Sequence, residues 1–116
     1  MIAMNRREFT KSLAVLLTEM VSAGDMPILD YCLRSPYEQK RLFDEGLSKC
    51  DGFINKSYHQ KGLAADIYLV VELPNNDVVI QFEWDKNKAM KWHLRWQELG
   101  GAPMILWDKP HFEAGR

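Results

Sequence analysis

The chain has few of the residues that staple small folds. It has two cysteines, Cys32 and Cys50, 18 positions apart and in no CxxC pair. That excludes a disulfide-dense scaffold and a cysteine zinc cluster; the pair reads as two reduced, packed thiols, with a single bridge between them left open. Charge bias is also missing. Fifteen Lys and Arg against 16 Asp and Glu leave a formal net charge of -1, whereas a nucleic-acid binder shows a basic patch or stripe. No apolar run approaches the roughly 18 residues that a membrane span needs. There is no internal repeat, no Ser/Gly/Pro-rich linker, no HExxH helix, no GxSxG elbow and no Gly-rich phosphate loop.

What is present is a chain able to build a core. Its 116 residues are 47% hydrophobic and 11% aromatic, the content of one globular domain spanning 1–116 rather than of a disordered segment. Arg6-Arg7 ahead of a short apolar run has the outline of a twin-arginine export signal. The spacing of Phe9, Leu13, Leu16, Leu17 and Met20, interrupted by Glu19, favours an amphipathic helix instead, over about Arg7 to Ala23 and stopped at Gly24.

Met26 to Leu33 reads as a strand, and Ser35-Pro36 opens a helix over Tyr37 to Glu45 that ends at Gly46. Leu47 to Tyr58 is a polar loop of a length that often carries function. Leu63 to Val71 and Val78 to Phe82, joined by Pro74-Asn75-Asn76-Asp77, form a β-hairpin. Lys86 to Leu99 is a helix with Ala89, Trp92, His93, Trp96 and Leu99 on one face, and His111 to Glu113 is a closing strand. This order is not a βαβ alternation, so the expected class is α+β with a small antiparallel sheet and helices packed on it.

Asp66 is the polar outlier of an apolar strand. Alternation places it with Ala64, Tyr68 and Val70, and a carboxylate there needs a cation or hydrogen-bond partner. His59 lies seven residues before it, and His111 follows Asp108 by three with Pro110 stiffening the link. Two histidines and an aspartate are the ligand types of a three-ligand catalytic zinc site, with Asp108 a spare carboxylate where a general base is required. Spacing alone leaves a plainer reading open, in which His59 and His111 hydrogen-bond locally and Asp66 pairs with a lysine or arginine. His93 reads as a helix-face residue, and Trp84, Trp92 and Trp96 as core; Trp107, next to Asp108, is the tryptophan placed to line a cleft.

The string Ser57-x-His59-x-x-Gly62-x-Ala64-x-Asp66, followed by Asp108-x-x-His111-Phe112, resembles the two zinc motifs of the peptidoglycan metallopeptidases that comprise D-alanyl-D-alanine carboxypeptidases and L-alanyl-D-glutamate endopeptidases. Leu33-Arg34-Ser35, Glu38-Gln39, and Leu42 through Gly46 and Ser48 are similar to a further segment of that family, so the likeness covers about Gly24 to Glu113. It implies a hedgehog/D,D-peptidase-like fold and one zinc ion held by His59, Asp66 and His111. It also implies Asp108 as catalytic carboxylate, Arg34 as the arginine that binds substrate oxygens, and Ser57 as a hydrogen-bonding support.

The carboxypeptidase branch has glutamate three before the last zinc histidine. Aspartate there is similar to the endolysin-type endopeptidases, which cut between L-Ala and D-Glu of the stem peptide. The expectation is therefore a phage-type cell-wall hydrolase that stays cytoplasmic until release to the wall. It would act on peptidoglycan stem peptides as a monomer, with no nucleic-acid partner and no membrane insertion. The alternatives are a D-Ala-D-Ala carboxypeptidase and a non-catalytic zinc-containing module.

Overall fold

The computed structural model describes residues 3–30, 35–47, 58–59, 61–75 and 77–115. The chain runs α1 (Arg6–Ser22), β1 (Pro27–Leu29), α2 (Pro36–Asp44), β2 (Ala64–Glu72), β3 (Val78–Gln81), α3 (Lys86–Glu98) and β4 (His111–Glu113). It is an α+β fold with a small, four-stranded antiparallel sheet.

Each helix starts on a side-chain cap that takes up an otherwise unpaired backbone N–H. Asn5 accepts from Glu8 N at 2.8 Å, Ser35 from Glu38 N at 3.1 Å, and Asp85 from Lys88 N at 3.0 Å. Helix α1 buries Phe9, Leu13, Leu16 and Met20, and α3 buries Ala89, Trp92, His93 and Trp96, the stripes expected from a 3.6-residue period. Arg95 ties the two helices together, its guanidinium reaching Glu19 at 2.8 Å. Of the expected first strand, Met26 to Leu33, Pro27–Leu29 forms β1, and residues 31–34 lie outside the described residues. Most of the expected polar loop lies outside them too, as do both cysteines.

Strand β2 is the spine. Its even-numbered residues bond to β1, with Val70 N donating to Met26 O and Asp66 O accepting from Asp30 N. Its odd-numbered residues face the opposite edge, since both polar groups of a residue point to one side and alternate along an antiparallel strand. That edge carries β3 against 69–72 and β4 against 64–66. Between them, Ile67 N donates to Pro110 O at 2.8 Å, and Ile67 O accepts from the Trp84 indole at 2.9 Å. Trp84 thus fills the slot where β3 has ended and β4 has not begun.

The two faces of β2 differ. Ala65, Ile67 and Leu69 join Phe112 of β4 in the core with Leu16, Met20, Trp84, Trp92 and Trp96. Ala64, Asp66, Tyr68 and Val70 take the other face by alternation. Asp66 and His111 are direct cross-strand partners in the register, so both point away from the helices.

Candidate metal centre

His59 reaches the same place from a tight turn ahead of β2. Gly62 N donates to His59 O at 3.1 Å and Leu63 N to Tyr58 O at 2.8 Å. Gly62 holds a left-handed φ of +71°, and a Cβ there would lie 2.6 Å from Arg6 Nε. The left-handed backbone is what this turn needs of glycine, since the Arg6 guanidinium is the mobile end of a long side chain and can move aside.

Three atoms converge. His59 Nε2 lies 3.1 Å from His111 Nδ1 and 3.2 Å from Asp66 Oδ1, and His111 Nδ1 lies 3.4 Å from the same oxygen. A tetrahedral zinc with bonds of about 2.0–2.1 Å has edges of about 3.3 Å between its ligand atoms. The observed triangle has the size of one tetrahedral face, with two imidazoles and a carboxylate as donors. The three residues can hold a metal ion.

The electrostatics suit a cation. Burial pushes the Asp66 carboxyl upward, but hydrogen bonds from His111 and His59 outweigh it and hold the group well below the usual carboxylate range. Burial would lower His111, but Asp66 and Glu113, with the Asp108 charge behind them, pull it up to about 9. The second nitrogen of His111, Nε2, lies 3.7 Å from Glu113 Oε1. A carboxylate behind a ligating imidazole fixes which ring nitrogen faces the metal.

Asp108 stands at the rim, half-exposed, with Oδ2 4.0 Å from His111 Nδ1. Its turn is anchored on both sides: Asp108 N donates to Ile105 O, and His111 N to Asp108 O. Trp107, next to Asp108 in the chain, is 89% exposed and lines an open cavity of about 280 Å³ with Phe82, Trp84, Leu106, Lys109 and Pro110, none of them a residue of the triad. A larger cavity of about 800 Å³ runs between α1 and residues 97–103; of the site's residues it touches only Glu113. Arg34 and Ser57 lie outside the described residues.

Sequence reasoning passed over two neighbours. Glu113 was legible, because it sits two residues after His111 in a strand and so shares its face. Tyr68 shares the face of Asp66, half-buried; burial and the charges of Asp66, Asp30 and Asp108 raise its pKa, which keeps the phenol a proton donor. Trp84, Trp92 and Trp96 are buried as expected, and His93, read as a helix-face residue, is buried too, its ring stacked on Phe112. Among the described residues no helix is long and apolar enough to cross a membrane. No protein-family model matches the chain, and no curated protein matches it.

Proposed function

We propose that the protein is a zinc-dependent peptidase that hydrolyses a peptide bond in peptidoglycan stem peptides, between L-Ala and D-Glu. The observation that carries the reading is the triangle of His59 Nε2, Asp66 Oδ1 and His111 Nδ1 with a spare carboxylate, Asp108, beside it. The likeness of these residues to the zinc motifs of the cell-wall metallopeptidases supplies the substrate class.

When bound, zinc supplies Lewis acidity, which lowers the pKa of water to about 7 and polarises a carbonyl. Asp108 accepts the proton of the attacking water and passes it to the amine that leaves as the C–N bond breaks. Its half-exposure gives it access to both water and substrate. On this reading Tyr68, which shares the face of Asp66, and the exposed ring of Trp107, next to Asp108 in the chain, would contact the peptide. Arg34, charged at any working pH, is assigned to the substrate's oxygens on the likeness alone.

The test is mass spectrometry of purified peptidoglycan fragments incubated with zinc-loaded protein and with a chelator-treated control. A new amine on D-Glu, lost on chelation, is the expected result. Released D-Ala would assign the carboxypeptidase reaction, and no metal-dependent product from several wall types would overturn the peptidase reading.

A further inference from the structure

His93 is a buried titratable side chain that the proposed reaction does not use. It is 2% exposed on α3, and two contacts tie it to the segment bearing the last metal ligand. Its Nε2 lies 2.6 Å from the Lys109 carbonyl oxygen. Its ring stacks flat on Phe112, with centroids 3.9 Å apart and planes 5° from parallel. His93 therefore grips the chain two residues before His111 and one residue after it.

The proton's position follows from the partners. A carbonyl accepts, so Nε2 carries the hydrogen. Nδ1 is buried with no hydrogen-bond partner among the described residues, which suits a bare nitrogen and not a second N–H.

The gripped segment needs an external brace. His111 N donates to Asp108 O at 3.1 Å, closing a four-residue turn with Lys109 and Pro110 at its centre. Proline at the third position forces the residue before it out of the helical region, so the commonest turn geometry is denied to this sequence. Pro110 also has no N–H to lend. The Lys109 carbonyl is where α3 holds a turn that local preferences leave under-determined, and Asp108 and His111 are its two ends.

We infer that His93 is a positioning residue for the candidate metal centre: from α3 it donates its Nε2–H to the Lys109 carbonyl and so sets the turn that places Asp108 and His111. The bracing stands on the contacts alone; its consequence for metal binding rests on the metal-centre reading.

Two variants separate donor from ring. His93→Phe keeps the stack on Phe112 and loses the donor. His93→Gln keeps an amide N–H of similar reach and loses the ring. Amide hydrogen exchange on metal-free protein gives the first readout. In His93→Phe, the N–H groups of His111 and Ile67, which bond to Asp108 and Pro110, exchange roughly fivefold faster, as expected for losing one hydrogen bond, while amides of α1 hold their rates. His93→Gln restores the slow exchange.

Zinc affinity, measured by competition with a chromophoric chelator, gives the second readout. It falls about 10- to 100-fold in His93→Phe, the usual loss for a residue behind the ligands, and recovers in His93→Gln. Unchanged exchange at His111 and Ile67 in His93→Phe would overturn the inference. So would equal acceleration of α1 in both variants, which marks a packing residue. If wild type binds no zinc, the metal-centre reading falls, and the exchange data still decide whether His93 braces the turn.

Discussion

The same histidine yields a pH dependence of stability whose size follows from its burial. Burial lowers the His93 pKa from 6.5 to about 4, against the bond to Lys109, which raises it, and with the nearby His111 charge, which lowers it further. Between those two values the unfolded chain binds a proton that the folded chain refuses, so stability falls as the pH falls through this window. At about 1.36 kcal/mol per pH unit the full loss is about 3 kcal/mol, and about 2 kcal/mol of it has gone by pH 5.

His111 works in the opposite sense. Its folded pKa of about 9 lies above the ordinary value, so its stabilisation is complete below pH 6.5 and is lost as the pH rises through 9. The readout is therefore a difference: urea unfolding of wild type and His93→Gln, with chelator present, at pH 7.5 and pH 5.0. His111 and the carboxylates titrate in both proteins and cancel. His93→Gln should gain about 2 kcal/mol on wild type over that interval. A gap between the two proteins that stays constant with pH would refute a buried, neutral His93.

Three further outcomes are expected. Asp108→Ala should keep zinc, measured by atomic emission after gel filtration, and lose at least about 100-fold in peptide hydrolysis, the lower end of what a general base contributes; His59→Ala should lose both. Asp25→Ala should cost about 1–3 kcal/mol in denaturant unfolding, because Asp25 accepts from the Trp92 indole at 2.9 Å and from Lys88 at 2.8 Å. Burial raises the Asp25 pKa but these two partners lower it overall, so that stabilisation is present above pH 3.8 and lost as the pH falls through the lowered folded value. Gly62→Ala should cost about 1–2 kcal/mol for the left-handed backbone alone, read as a drop in midpoint at unchanged slope.

The elements were legible wherever a local signal was strong. Asn5, Ser35 and Asp85 cap helices, Gly24, Gly46 and Gly100 follow them at positive φ, and the Phe9 to Met20 stripe is the buried face of α1. Where the signal was only an apolar run the limits were less sharp: of the expected strand Met26 to Leu33, Pro27–Leu29 is β1, with Met26 and Asp30 bonded to β2 at its ends, and residues 31–33 lie outside the described residues. Pairing depends on a partner edge, and among the described residues β1 finds it in register with 67–69 of β2, closed by backbone bonds at Val70 and Asp66.

By itself the sequence determined the helix limits, the hairpin and the residue types of the site, because caps, breakers and hydrophobic period act over a few neighbouring residues. It could also mark Asp66 as a carboxylate in want of a partner. Only the tertiary structure decided who that partner is, because the register that sets Asp66 opposite His111 and the turn that brings His59, 52 residues from His111, over both depend on β2 and β4 closing in one sheet. It also decided the surroundings, and so the charge, of two histidines that the sequence places only on a strand and on a helix face. His111, on the open face of β4, sits among carboxylates that favour a cation, while His93, on the inner face of α3, is buried deeply enough against Phe112 to stay neutral despite its bond to the Lys109 carbonyl.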